Sequence, residues 1–140
     1  MIVDGEGGPL GVVVAGANVH DTKLLKKTIE AMIVQRPDPQ RYEQHLCLDK
    51  GYDNPTGHAT VAEAQYTPHI RRIGEEKLAA GRRKRHKPRR WVVERTLAWL
   101  SKCRAILVRY AKKSSNYLAM IQLACILLWF RRLHRLKSAI

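Results

Sequence analysis

Acidic residues are scarce in the second half of this 140-residue chain. Between residues 77 and 140, Glu94 is the only Asp or Glu, and 18 Lys and Arg surround it. Residues 1–76 instead carry 8 basic and 11 acidic side chains, and the whole chain has a net charge of +14. A surface that is merely solvated usually mixes both signs. This scarcity of acidic residues among many basic ones predicts a polyanionic partner, most simply nucleic acid.

Paired cysteines are also lacking. Cys47, Cys103 and Cys125 are scattered, with no C-x-x-C pair and no spacing suited to a zinc site. Three unpaired cysteines are typical of a reducing cytoplasm and of simple packing roles. The sequence therefore disfavours a disulfide-stabilised secreted protein.

No apolar run is long enough for a membrane span. The most apolar stretch, residues 117–130, is interrupted by Gln122, and a spanning helix needs about 20 apolar residues. We therefore expect a buried core helix and no membrane partner. A helix lying at a membrane surface is the weaker alternative, because basic residues follow the stretch directly.

The chain is long enough for one domain, which we divide into a β/α part (1–76), a basic loop (77–90) and a helical part (91–140). In the first part we predict a β-hairpin, with strands at 1–3 and 10–15 and a glycine-rich turn at 4–9. We then predict a helix capped by Asp21, a strand at 46–48, a helix from Pro55 to about Gln65, and an edge strand at 66–70. In the last part we predict a helix from Pro88 or Arg89 with a core stripe of Val93, Leu97 and Leu100, an extended or buried segment at 105–108, and a helix at 116–136 capped by Ser114 or Ser115. Strands followed by crossover helices predict a mixed α/β sheet covered on both faces.

Two carboxylates are the candidate catalytic residues and metal ligands. Asp49 follows a predicted strand, where open α/β sheets place functional groups, although Asp also begins turns well. Glu94 lies on the second-half helix, where the alternative is a surface pair with Arg90 four residues back. His20 and Asp21 form another possible metal pair, but Asp21 as a helix cap is favoured.

Two carboxylates beside a cationic loop are typical of a site where metal ions catalyse reactions of phosphodiesters. Two Mg²⁺ or Mn²⁺ ions would bind between Asp49 and Glu94, one activating the attacking oxygen and one stabilising the leaving oxygen. A third, shared carboxylate is needed, and the sequence offers no good candidate. The predicted DNA-binding residues are Lys50, Arg82, Arg83, Lys84, Arg85, Lys87, Arg89, Arg90 and Lys102.

Three segments resemble DDE-type transposases of bacterial insertion sequences. They are residues 3–21, residues 49–53 followed by 66–70, and residues 90–104, which appear in the family's order. The resemblance implies a ribonuclease H-like fold that is truncated at its N-terminal strands, with Asp49 and Glu94 as the second and third acidic catalytic residues. It places the first catalytic Asp on an earlier strand, upstream of this chain.

Some positions depart from the family's pattern around Glu94. The family's Arg is kept as Arg90, whereas Lys87 occupies the position of a Tyr and Ser101 that of a basic residue. Lys102 is adjacent and is our candidate substitute for that basic residue.

The resemblance implies metal-dependent phosphodiester hydrolysis and strand transfer in DNA transposition, in the bacterial cytoplasm and near the nucleoid. Some elements encode their transposase in two overlapping frames, and this chain is similar to a downstream product or a decayed copy. We expect it to be inactive alone, with an upstream transposase segment or another copy of itself as partner. The alternative is a non-catalytic, basic DNA-binding remnant or a partner of a full transposase.

Overall fold

The computed structural model describes residues 1–70 and 90–138, without the side chains of Arg90 and Leu136. The predicted basic loop at 77–90 therefore lies outside the described residues, apart from the backbone of Arg90. The described elements are strands β1 (Ile2–Val3), β2 (Pro9–Gly11), β3 (His45–Leu48) and β4 (Thr67–Ile70), and helices α1 (Asp21–Glu30), α2 (Pro55–Glu63), α3 (Arg90–Leu100), α4 (Arg104–Leu107) and α5 (Ser114–Lys137).

The chain opens with the predicted hairpin, in which β1 and β2 are antiparallel. Asp4 closes its turn, because Asp4 Oδ1 accepts hydrogen bonds from the backbone N–H groups of Glu6 (2.8 Å) and Gly8 (2.7 Å). The predicted strand at 10–15 is wrong in its extent. β2 ends at Gly11, where a Cβ atom would come within 2.8 Å of the Ala31 carbonyl oxygen at the end of α1.

Helix α1 begins one residue earlier than we predicted. His20 is its N-cap and accepts a long hydrogen bond from the Thr22 N–H at 3.4 Å, so Asp21 is the first helical residue and not the cap. Asp21 still suits this position, since a carboxylate in the first turn interacts favourably with the helix dipole.

Strands β3 and β4 run parallel, connected through α2. Pro55 occupies the first turn of α2, as predicted, and Asn54 caps it by accepting from the Gly57 N–H at 2.9 Å. At its other end Gln65 has a positive φ of 56°, and the N–H of Tyr66 donates to Val61 O at 3.1 Å. The left-handed conformation of Gln65 ends the helical path of α2, and the chain continues into β4.

The first hydrophobic core joins these elements. Its buried members are Leu25, Ile29, Leu46 and Val61, from α1, β3 and α2. Tyr52 and Ile2 are among the half-buried residues that pack against them.

Helix α3 buries a different stripe from the one we predicted. Val92, Thr96 and Leu100 are each 3% exposed, while Leu97 is 48% exposed. These three residues are spaced by four, and the face they form lies against the hairpin and α5. The predicted stripe of Val93, Leu97 and Leu100 is therefore wrong, except for Leu100 and the half-buried Val93.

The second core is built by α3 and α5, from Leu100, Ile121 and Ala124. Residues 104–107 form the short helix α4, so the extended or buried segment predicted at 105–108 is wrong, and Leu107 is 65% exposed. Helix α5 agrees with the predicted final helix but begins at Ser114. The expectation of a buried core helix at 117–130 holds for one face only, because the face opposite the core is exposed.

The fold is mixed α/β. Among the described residues the strands form two sheets of two strands each, β1 with β2 and β3 with β4, in place of the single mixed sheet that we predicted. No helix in the described ranges is long and apolar enough to cross a membrane.

Candidate functional site

Asp49 follows the carboxyl end of β3, as predicted, and is exposed. It caps a 3₁₀ turn at Lys50–Tyr52, and its Oδ1 accepts a hydrogen bond from the Lys50 N–H at 2.7 Å. Asp49 therefore has the turn-forming role that we weighed as the alternative.

Tyr52 lies at the other end of this turn. Burial raises the pKa of the Tyr52 hydroxyl above its usual value, and the negative charges of Asp21 and Asp49 add to the effect. Tyr52 is therefore a neutral hydroxyl at physiological pH. Helix α1 packs against the 3₁₀ turn that Asp49 caps, so the start of α1 and the end of β3 lie near Tyr52.

Glu94 is exposed and lies two residues from both Val92 and Thr96, on the side of α3 opposite the buried stripe. Trp91 on the preceding turn is 53% exposed, and the Arg95 guanidinium stacks over its ring at 4.7 Å. Trp91 and Arg95 therefore form an aromatic and cationic patch on the same helix as Glu94. The proposed pairing with Arg90 cannot be placed, because the Arg90 side chain lies outside the described residues.

The hairpin turn is held against α3 by two side chains that follow Glu94 directly. Arg95 donates to the Glu6 carbonyl at 2.6 Å, and the Thr96 hydroxyl donates to the Gly7 carbonyl at 2.8 Å. Gly7 has a φ of +86°, and a Cβ atom there would lie 2.9 Å from the Arg95 guanidinium. Only glycine allows this turn to approach α3 so closely.

Helix α5 holds the same turn from another side. The Trp129 indole N–H donates to the Pro9 carbonyl at 2.8 Å, and Arg132 pairs with Asp4 at 3.4 Å. A Cβ atom on Gly8 would collide with the Trp129 ring. The turn is therefore enclosed between α3 and α5.

The hairpin also connects the two halves of the candidate site. Ile2 packs on the first core, which supports Asp49 through β3, while Met1, Val12 and Val14 pack on the second core, which supports α3. Sequence reasoning missed this role, because the polar contacts of the turn join residues about 90 positions or more apart.

The predicted DNA-binding residues divide into two groups. Lys50 and Lys102 are exposed, at the start of the 3₁₀ turn and just after α3. The positions of Arg82, Arg83, Lys84, Arg85, Lys87 and Arg89 fall outside the described residues, as does the side chain of Arg90.

A histidine pair on the β3–β4 sheet was also missed. His69 Nε2 lies 2.9 Å from His45 Nδ1, and the two rings are tilted by 57°. Thr67 and Glu43 are joined nearby by a hydrogen bond of 2.9 Å. The parallel pairing of the two strands brings these residues together, and no local sequence pattern predicts the pairing.

The described residues do not form a complete metal site. Carboxylate oxygens are the donors that Mg²⁺ prefers, so Asp49 and Glu94 are of the right chemical type. However, no group of three or more His, Cys, Asp or Glu within residues 1–70 and 90–138 could hold a metal ion. The donor set that the described residues supply is therefore too small for a two-metal centre.

Comparisons with known proteins support the resemblance noted in the sequence. The family model described as the transposase DDE domain matches residues 1–129. A Burkholderia cepacia protein named as a transposase for insertion sequence element IS402 is 29% identical over 147 residues, covering 100% of this chain and 65% of the relative. No solved structure matches the chain. Because the family model covers most of its length, the chain belongs to the DDE transposase domain family.

Proposed function

We propose that this chain works in DNA transposition, as the part of a catalytic domain that contributes two acidic residues to strand cleavage and strand transfer. The observation that carries the proposal is the family match over residues 1–129, within which Asp49 and Glu94 are both exposed. The parallel β3–α2–β4 unit and the antiparallel hairpin are compatible with a ribonuclease H-like topology, which we include in the proposal.

Asp49 and Glu94 are proposed as the catalytic carboxylates and metal ligands. Each is presented by a hydrogen-bonded element: Asp49 by the turn at the end of β3, and Glu94 by a helix that is bonded to the hairpin turn. These bonds matter, because catalytic groups must be held within a fraction of an ångström of their working positions.

DNA binding is proposed for the cationic residues around these carboxylates. Lys50 is adjacent to Asp49, and Lys102 follows the helix that bears Glu94. Together with the sequence-predicted residues Arg82, Arg83, Lys84, Arg85, Lys87, Arg89 and Arg90, they would bind backbone phosphates without reading sequence. Such contacts fix the position of the DNA relative to the carboxylates.

The DDE transposase family generally uses divalent metal ions, and Mg²⁺ or Mn²⁺ is our proposal for this chain. Since the described residues hold no group of three metal ligands, we propose that the chain alone does not assemble an active centre. The missing ligands would come from an upstream transposase segment or from another copy. The site of action would be the bacterial cytoplasm, at the nucleoid.

The test is cleavage of double-stranded DNA that carries both flanks of the gene, in the presence of Mg²⁺ or Mn²⁺. The chain should be inactive by itself and active when it is co-expressed with the product of the reading frame immediately upstream. Asp49→Asn and Glu94→Gln should each abolish that activity without loss of DNA binding. Cleavage that survives both substitutions would refute the assignment of the two carboxylates.

A second candidate function is non-catalytic binding of DNA or of a complete transposase. It is favoured by the lack of a three-ligand metal group in the described ranges and by the strong excess of basic residues after position 76. In the same experiment it predicts DNA binding, with no cleavage under any co-expression condition.

A further inference from the structure

Helix α5 is apolar on two opposite faces. One face packs on the second core through Ile121 and Ala124. The opposite face exposes six large apolar side chains, each between 41% and 64% exposed: Met120, Leu123, Ile126, Leu127, Phe130 and Leu133. We call these six residues the outer α5 face. A helix that is apolar all round is normally buried all round, so this face requires a second contact.

The spacing of the outer α5 face is symmetrical. The six residues pair about the point between Ile126 and Leu127: Met120 corresponds to Leu133, and Leu123 to Phe130. At 100° per residue all six point to one side of the helix, within an arc of about 140°. When the helix is turned end over end about that midpoint, the apolar pattern coincides with itself. An interface between identical copies around a two-fold axis requires such a self-complementary patch.

The charges of α5 favour the same antiparallel arrangement. Residues 114–130 contain no charged side chain, whereas Arg131, Arg132, Arg135 and Lys137 occupy the last two turns. In a parallel pair these cations would face their own copies and repel each other. In an antiparallel pair Arg131 faces the uncharged Gln122, and the two helix dipoles oppose each other favourably.

We infer that the outer α5 face is the docking surface for a second copy of this chain, which pairs antiparallel across a two-fold axis between Ile126 and Leu127. Leu123 of one copy then lies beside Phe130 of the other, and Met120 beside Leu133. The two basic helix ends point away from each other, so the dimer presents cationic surface at both ends of the interface. This inference does not depend on the assignment of Asp49 and Glu94.

The first test is sedimentation equilibrium of the full chain over a wide range of concentration, with enough salt to screen its charge of +14. We expect a monomer–dimer equilibrium. Leu123→Arg should raise the dissociation constant by about tenfold or more, as for a central interface residue. The matched control is Ile33→Arg, which adds the same charge at an apolar side chain that is 85% exposed and lies outside α5. It should leave the dissociation constant unchanged.

A cross-linking experiment tests the orientation independently of the arginine variants. The three native cysteines are first replaced by alanine, and Leu123→Cys and Phe130→Cys are prepared as separate proteins. In the antiparallel dimer Leu123 and its own copy are offset by about 10.5 Å along the helix axis, too far for a disulfide. Oxidation of the mixture should therefore give a disulfide-linked dimer, whereas neither protein alone should do so.

Three outcomes would overturn the inference. A wild-type chain that stays monomeric at every concentration shows that the face does not bind a second copy, and that its occupant is another molecule. Disulfide formation by Leu123→Cys alone shows a parallel contact. Open-ended association in place of a dimer, or a dimer that Leu123→Arg and Ile33→Arg weaken equally, shows non-specific association.

Discussion

The hydroxyl of Thr96 donates a hydrogen bond to the carbonyl oxygen of Gly7 at 2.8 Å, and so joins two segments that are 89 residues apart. Thr96 is 3% exposed, and Gly7 is buried as well. The bond therefore satisfies a backbone oxygen that water cannot reach. It also fixes the helix that carries Glu94 against the hairpin that connects the two cores.

We predict that Thr96→Val destabilises the fold by about 1–3 kcal/mol, because the Gly7 carbonyl is left buried without its donor. Thr96→Ser should cost less, since it keeps the hydroxyl and removes only a methyl group, worth roughly 0.8 kcal/mol. Urea unfolding measures both. Thr60→Val is the control: its hydroxyl is bonded to a carbonyl of its own helix at 2.8 Å in an exposed position, so the change should stay within about 0.5 kcal/mol. Equal effects at positions 60 and 96 would contradict the role of the Gly7 contact.

The hairpin turn offers a second prediction through Asp4. Its Oδ1 accepts from two backbone N–H groups, and Arg132 pairs with the same carboxylate. Asp4→Ala should destabilise the fold by roughly 2 kcal/mol, because two donors lose their acceptor. Asp4→Asn keeps an oxygen acceptor and should cost clearly less.

The contribution of Arg132 is separable by a double-mutant cycle in the same unfolding assay. Because about a third of the Asp4 side chain and a quarter of the Arg132 side chain remain exposed, solvent screens the ion pair. We expect a coupling below about 1 kcal/mol. An Asp4→Asn variant as unstable as Asp4→Ala would show that charge, and not turn geometry, dominates.

The cysteines should differ in reactivity. Burial raises the pKa of the Cys125 thiol, whereas Cys47 is exposed. At pH 8 Cys125 therefore has less of the reactive thiolate than an ordinary cysteine, and it is less accessible to reagent than Cys47. We expect iodoacetamide to modify Cys47 much faster, as read by mass spectrometry of the peptides, and the two rates to converge in urea.

The raised pKa of Cys125 also makes the free energy of unfolding depend on pH. The folded-state pKa of Cys125 lies above its unfolded value near 9, so the unfolded chain loses this proton first as pH rises. The favourable contribution of the buried neutral thiol is therefore fully present below pH 9 and declines above it. A Cys125→Ala variant should show a weaker loss of stability between pH 8 and pH 10 than the wild type.

Local signals predicted the parts of the fold that depend on a few neighbouring residues. The apolar run at residues 46–48 gave β3, Pro55 marked the start of α2, and the glycine-rich turn predicted the hairpin. Each of these depends on backbone preferences that short sequences encode. The cap of α1 was placed one residue late, because His20 is an uncommon cap and Asp21 a common one.

Tertiary contacts decided what periodicity alone could not. A polar residue such as Thr96 is not expected in a buried stripe, and it is buried because the Gly7 carbonyl supplies its partner. Helix α5 reads as a core helix, yet only one of its two apolar faces meets the core. For the candidate site, the sequence placed Asp49 at a strand end and Glu94 on a helix, and the structure agrees with both positions. Their catalytic roles stay predictions.

We expect Glu94→Gln to change the free energy of unfolding by less than about 0.5 kcal/mol, as for an exposed position away from the core. Glutamine keeps the volume and nearly the same helix propensity. Thermal or urea unfolding without added metal tests this expectation. A large loss of stability would assign Glu94 a structural pairing and would weaken its proposed catalytic role.

The basic segment at 82–85 should dominate the salt dependence of DNA binding. For every phosphate that the protein no longer neutralises, the slope of log affinity against log salt should become shallower by roughly 0.9. Replacing Arg82, Arg83, Lys84 and Arg85 together by Gln should therefore weaken binding to all DNA sequences alike and reduce the slope. The charge-matched control replaces four cations of the first half by Gln, namely Lys23, Lys26, Lys27 and Arg41.

Both variants lose the same total charge, so a purely long-range attraction would weaken DNA binding equally in the two proteins. Direct phosphate contacts at 82–85 would instead change the slope only in the first variant. Fluorescence anisotropy with a labelled duplex, measured at several salt concentrations, gives both slopes. An unchanged slope after substitution at 82–85, beside a reduced slope in the control, would move the DNA contact to the β/α half of the chain. Of the predicted DNA-binding residues, Lys50 is the one that belongs to that half of the chain.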